Sequence, residues 1–256
     1  MKKHPRLILS LILDDGRMIK RSKFENYKYL GDPLNIIRIF NSKRVDEISL
    51  ISCFNNEKIN KNINFDYLEK LSSEAFCPLT YSGGIRTLKD AETIFSIGFE
   101  KIGLRYLLYS NPSLVKQISR KYGSQSIVIF IDYKELNNNE VEIHTSYNSH
   151  FKLKNKSSIL DLIKKAEKYG AGEIILQCIN RESQSVGLDL EIIKEASKET
   201  NIPIVASCGL RNLSDAKKAL DLGANGVMAS KFFCLYGKRD GVVLSYPSYE
   251  EIELIR

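Results

Sequence analysis

The sequence predicts an α/β fold: a (β/α)8 barrel assembled from two half-barrel repeats. Three observations carry that prediction. Eight short apolar, β-branched segments alternate with helix-period stretches over 256 residues, as strands each followed by a covering helix would. A string from Pro78, PLTYSGGIRTLKDAETIFSIGFEKIGLR, returns from Pro203 as PIVASCGLRNLSDAKKALDLGANGVMAS. Its pairs Pro78/Pro203, Gly84/Gly209, Arg86/Arg211, Asp90/Asp215 and Gly98/Gly223 all stand 125 positions apart, close to half the chain. Finally, the alternation has one clear interruption, NNNEVEIHTSYNSHFKLKNKSS, which has the period of a hairpin rather than of a helix.

Each element follows from local pattern. The first strand, 7–13, is an apolar run that flips to charge at Asp14-Asp15-Gly16-Arg17. Further strands are expected at 47–52, 78–81, 101–104, 126–131, 173–177, 203–206 and 226–229. NPSLVKQISRKYG and SSILDLIKKAEKYGAG have apolar residues at helical spacing and end in glycine, a frequent helix stop. The interruption, about 137–156, is a hairpin turning at Asn148-Ser149 and inserted after the fifth strand. The expected organisation is thus a single barrel, 1–256, with halves of about 1–122 and 123–256.

Composition narrows the function. Hydrophobic content of 43% with 27% charged residues is that of a soluble globular chain. The start, MKKHPRLILSLIL, has too short an apolar run for a secretory signal, and no stretch nears the roughly 20 residues of a membrane helix. A cytoplasmic protein that does not enter a membrane is expected. The net charge of +7 falls mostly on helix faces that also carry acids, and no aromatic-basic interleaving points to nucleic acid. Cys53, Cys77, Cys178, Cys208 and Cys234 are scattered without CxxC spacing, and His4, His144 and His150 form no HxxxH pattern. Reduced thiols, no protein metal site and no cofactor are the expectation.

Function in such barrels gathers at the carboxyl ends of the strands, and phosphates bind near the loops after strands seven and eight. Those places are Ser207-Cys208-Gly209 and Ala229-Ser230, with half-barrel mates Ser82-Gly83-Gly84 and Leu104-Arg105. Small residues leave backbone N–H groups open to an anion. The alternative is that these glycines only permit tight turns.

With DGRMIK, FENYKYLGDP, DEISLIS, SGGIRTLKDAE, NPSL, GSQSIVIFIDYK, GAGEIIL and PIVASCG…MAS in hand, the chain resembles the cyclase subunit of imidazole glycerol phosphate synthase, the HisF family of TIM barrels, over nearly its whole length. The resemblance implies a glutaminase docked at the amino-terminal face of the barrel. It further implies ammonia passing through to a phosphorylated substrate at the other face, with Lys20, Gly83, Gly84, Arg105, Gly209, Ala229 and Ser230 as substrate- or phosphate-binding positions. Of two family aspartates, the fifth-strand one maps onto Asp132 and the first-strand one onto Ile12, which cannot transfer a proton. Losing a positioned acid or base costs about 10²–10⁴ in rate. Asp14 is a possible substitute, but it lies two residues on, roughly 6–7 Å along a strand. Asn180-Arg181-Glu182-Ser183-Gln184 and Arg105-Tyr106 depart from the family's loops as well.

The charges that gate ammonia in the family map onto Arg6, Glu47, Lys101 and Glu173, each opening a strand. The alternative is a structural plug for the barrel floor. Together, a kept entry and an altered exit imply a barrel that receives ammonia without closing an imidazole ring. The expected setting is a glutaminase and a sugar amidotransferase making an acetamidino sugar of a surface polysaccharide. Against this stand the histidine-pathway cyclase itself and a non-catalytic phosphosugar-binding barrel.

Overall fold

The computed structural model describes residues 5–22, 26–52, 63–136, 140–146, 149–153 and 155–255; His4, Phe24, Glu25, Cys53 and Asn148 of the sequence reading lie outside them. β1 (Arg6–Asp14) runs into the antiparallel β2 (Arg17–Ser22) and β3 (Asn26–Gly31), followed by α1 (Pro33–Ser42), β4 (Glu47–Ser52), α2 (Phe65–Glu74), β5 (Leu79–Ser82), α3 (Leu88–Ser96) and β6 (Lys101–Leu104). Next come α4 (Leu107–Ser110), α5 (Pro112–Tyr122), β7 (Ile127–Glu135), β8 (Val141–Ser146), β9 (Ser149–Leu153) and α6 (Ser158–Lys168). The last part holds β10 (Glu173–Cys178), α7 (Leu190–Glu199), β11 (Ile204–Ser207), α8 (Leu213–Asp221), β12 (Gly226–Ala229), α9 (Lys231–Cys234), β13 (Leu235–Tyr236), β14 (Gly241–Val242) and α10 (Tyr249–Glu253). The parallel strands follow the order β10-β11-β12-β1-β4-β5-β6-β7, and β7 pairs with β10: a (β/α)8 barrel, as the alternation predicts.

Antiparallel pairing carries two of the strands past their predicted ends, β1 by one residue and β7 by four. β1 extends through Asp14 because it pairs antiparallel with β2, and β7 extends through Glu135 because it pairs with β8. A hairpin follows β7, and Ser149, expected at its turn, is a strand residue. A register shift between His144 and Ser146 puts Ser149 opposite Ser146, inside β9.

The chain divides into two compact units. The first comprises Met1–Arg6, Gly103–Met228 and Ile255–Arg256. Its β7 is buried from Ile127 to Tyr133, which is why IVIFI reads as an unbroken apolar run rather than an alternating one. In this unit α8 starts at Asn212, whose side chain accepts from Asp215 N, while Arg211 forks onto Asp215 with two contacts of 2.6 Å. The second unit comprises Leu7–Ile102 and Ala229–Leu254. There α3 starts at Thr87 in a reciprocal capping box with Asp90, which also accepts from Arg86 N. The recurring Arg-x-x-x-Asp of the duplication is therefore a helix-start device, a cap of that kind being worth about 1 kcal/mol.

Candidate functional site

In the first unit the end of β7 holds Asp132 buried, 9% exposed. One carboxylate oxygen, Oδ2, accepts from Arg105 Nε at 2.6 Å, and the guanidinium carbon lies 4.2 Å above the Phe130 ring. A charge-assisted contact backed by a cation–π face fixes both partners. The other oxygen, Oδ1, is buried without a hydrogen-bond partner, as are Gln177 Oε1 and the Tyr109 hydroxyl. Gln177 is the register partner of Asp132 on β10. Burial first, then the charge of Asp132, holds the Tyr109 phenol well above its ordinary value. Register continues outward: Asp132 pairs with His144 of β8, and His144 with His150 of β9. Partners in register share a face, so Gln177, Asp132, His144 and His150 make a polar row across four strands.

Around that row the altered loops act as clamps. Asn180 Oδ1 accepts from Glu135 N at 2.6 Å, and Asn180 Nδ2 donates to Glu135 O at 3.0 Å. Glu135, Cys178 and Asp189 bring their ligand atoms within 4.8 Å of one another, a constellation the sequence reading missed. Its central cation is already in place: Lys156 Nζ lies 2.9 Å from Glu135 Oε1, 2.6 Å from Asp189 Oδ2 and 3.2 Å from Glu191 Oε2. Burial alone would lower this ammonium's pKa, but its bonds to Asp189 and Glu135 outweigh that and raise it. Tyr133 also donates to Asp189 at 2.7 Å, and burial pushes the Cys178 thiol up to about 11, an unreactive group. These residues come from four separate segments, so no linear motif announces them.

In the second unit the end of β1 is different. Ile12 has Ile19 of β2 and Ile51 of β4 as register partners, giving an apolar row. Asp14, the candidate substitute, is 7% exposed and faces Arg21 at 3.9 Å. Lys20 is buried and donates to the Arg21 carbonyl at 2.9 Å. Ser230 keeps a buried hydroxyl without a partner, and burial pushes the nearby Cys234 thiol up to about 12.

Gly83 and Gly209 each have a backbone reason. At φ +129 a Cβ on Gly83 would stand 2.4 Å from the Ser52 carbonyl oxygen, and at φ +97 one on Gly209 would stand 2.3 Å from that of Gly187. Of the positions expected to bind an anion, Arg105 and Gly209 belong to the first unit, and Lys20, Gly83, Gly84, Ala229 and Ser230 to the second.

At the strand starts, Arg6 pairs with Glu173 at 3.0 Å in the first unit. In the second, Lys101 pairs with Glu47 at 2.8 Å and Thr80 donates to Glu47 at 2.9 Å. Glu47 and Glu173 are both buried. Among the described residues, no helix is long and apolar enough to cross a membrane.

Comparison with known proteins bears on the family. A family model described as "Histidine biosynthesis protein" matches residues 6–239. A Leptospira interrogans protein named "Putative imidazole glycerol phosphate synthase subunit HisF" is 35% identical over 255 residues, 98% of each chain. A Pseudomonas aeruginosa relative bearing the same wording with the suffix hisF2 is 32% identical over 250 residues, 97% of this chain and 98% of its own. The Bifidobacterium longum "Imidazole glycerol phosphate synthase subunit HisF" is 32% identical over 235 residues, covering 89% of this chain and 90% of its own. A match of that extent, on a (β/α)8 barrel with Asp132 at the end of its fifth strand, makes this chain a HisF-like member of the histidine biosynthesis protein family.

Proposed function

We propose that this barrel is the ammonia-receiving subunit of a glutamine amidotransferase system and that it does not close an imidazole ring. A glutaminase docks at the amino-terminal face, through the strand starts of Arg6, Glu47, Lys101 and Glu173. Ammonia then passes to an amidation step that forms an acetamidino sugar of a surface polysaccharide, with a sugar amidotransferase as a third partner. The observation that carries this reading is the state of the proton-transfer groups. Ile12 sits in an apolar row, and Asp132 is bound by Arg105 at 2.6 Å. A general base needs an oxygen directed at the proton it takes. Here one oxygen is committed to a guanidinium and the other is buried. The two ion pairs at the strand starts support the entry half, since ion pairs this buried stabilise a fold little and gain most meaning as a gate. Lys20, Gly83, Gly84, Arg105, Gly209, Ala229 and Ser230 remain the proposed positions for a phosphorylated ligand.

The histidine-pathway cyclase is the second reading, favoured by relatives at 32% identity named as that subunit. Purifying the chain with candidate glutaminases tests the first half of the proposal: association and stimulated glutaminase activity are expected. Complementation of a strain lacking the histidine-pathway subunit tests the second half. Growth without histidine would overturn the proposal in favour of the cyclase.

A further inference from the structure

The hairpin carries a donor set that ammonia transfer does not use. His144 of β8 and His150 of β9 are register partners, with ring centroids 5.4 Å apart and 28° between the planes. Glu142 precedes His144 by two residues and so projects from the same face. One Glu142 oxygen, Oε1, lies 2.8 Å from His144 Nε2, and the other, Oε2, lies 3.7 Å from His150 Nε2. Two imidazole nitrogens therefore converge on one carboxylate. The three side chains are 27%, 52% and 15% exposed in the order His144, His150, Glu142, so solvent reaches the group.

We propose that His144, His150 and Glu142 bind a divalent first-row transition-metal ion, with Zn2+ the best chemical match. Two imidazoles and a carboxylate are a borderline donor set that suits Zn2+ and leaves one tetrahedral position open. Calcium and magnesium prefer oxygen throughout. Ligand atoms held about 2.0–2.2 Å from a tetrahedral ion stand about 3.3 Å apart. His144 Nε2 stands 2.8 Å from Oε1 and His150 Nε2 3.7 Å from Oε2, so the half-exposed His150 has to turn to bring its nitrogen to the oxygen that His144 already meets. The backbone needs no adjustment, because cross-strand register holds the two histidine Cβ atoms about 4.5–5.5 Å apart. Lys134 and Lys152 flank Glu142 in register on the neighbouring strands. Both are exposed, so solvent and salt screen their repulsion of the ion. Asp132 is the register partner of His144, which places the ion one strand away from the strand-five carboxylate and on its face of the sheet.

The competing arrangement is a metal-free one, in which His144 donates Nε2–H to Glu142 and His150 only stacks on His144. Metal binding instead needs both Nε2 lone pairs, and so it weakens as imidazoles protonate in acid. The chelator-treated full chain is titrated with Zn2+ by calorimetry and with Co2+ by visible spectroscopy. His144→Ala, His150→Ala and Glu142→Gln are run beside it, with circular dichroism confirming their fold. One equivalent of metal is expected, with a cobalt spectrum lacking thiolate charge-transfer bands. Each substitution should weaken binding by at least the roughly 10–100-fold that loss of an outer-sphere partner costs. A parent that binds no ion overturns the proposal, as does binding that survives all three substitutions or shows thiolate bands, which would assign the metal to cysteine. The experiment needs no glutaminase, so its outcome is independent of the ammonia reading.

Discussion

Ile12 and Asp132 end the first and fifth strands of a duplicated barrel, and their surroundings have diverged as far as the residues themselves. Around Ile12, register aligns Ile19 and Ile51; around Asp132 it aligns Gln177, His144 and His150. A single Asp→Ile change in an otherwise polar row would leave orphaned partners behind. Instead the β1 row is apolar on both sides, as a strand end relieved of proton transfer can be. The β7 row keeps its polarity, but Arg105 holds its carboxylate. Chemistry that needs a group at both strand ends has only one here.

The largest expected effect breaks that comparison directly. Ammonia-driven turnover of the bisphosphate intermediate of the histidine pathway should be absent in the parent chain. Ile12→Asp restores the missing carboxylate and Arg105→Asn frees the remaining one. The double variant should gain toward the 10²–10⁴ that a positioned acid or base contributes. A parent already turning over, with activity that collapses in Asp132→Asn, would show that one strand end suffices.

The next effect concerns what stabilises the polar side. Lys156→Met leaves Glu135 and Asp189 facing each other without the ammonium between them, at a cost of about 3–5 kcal/mol if both stay charged. The lower end is expected, because Glu135 is one-third exposed. Urea midpoints measure it, and an unchanged midpoint would reduce the cluster to surface decoration. The strand-start pairs come next. Glu47 keeps only 3% of its side chain exposed against Lys101, while Arg6 is 28% exposed against Glu173. Lys101→Ala should therefore impair glutaminase-coupled ammonia transfer more than Arg6→Ala. The reverse order would mean that burial does not rank the gate residues.

Much of this was legible in the sequence, and the failures have a common cause. Buried parallel strands announce themselves locally as β-branched runs, and in the 125-residue repeat Asp90 and Asp215 both serve the start of a helix, geometry that any copy of the unit must keep. The expectation for Asp132 and Ile12 rests on the resemblance and their strand positions alone. The grip of Arg105 on Asp132 spans 27 positions, and the Lys156 cluster joins four segments. No periodicity encodes such meetings. The histidine pair was visible as two residues in a hairpin, but its pairing depends on a register shift between His144 and Ser146, and one residue of slip exchanges faces.

The smallest effect sharpens the comparison between the repeats, where each half uses the same aspartate differently. Asp90 closes a capping box with Thr87, whereas Asp215 is gripped by the guanidinium of Arg211. Asp215→Asn should cost about 1 kcal/mol near neutral pH, the usual worth of a helix-start contact. Its pH dependence has a definite sign. The side-chain bond from Arg211 is the main cause that holds the Asp215 carboxyl below its ordinary value of 3.8. A depressed folded value means the contribution is intact above 3.8 and disappears as pH falls through the folded value. The gap between parent and Asp215→Asn in chemical denaturation should therefore be constant from neutral pH down to about 4 and close in stronger acid. A gap that persists unchanged at pH 2 would mean that the amide costs packing rather than charge. The Arg211 fork would then be a passenger on the cap rather than its support.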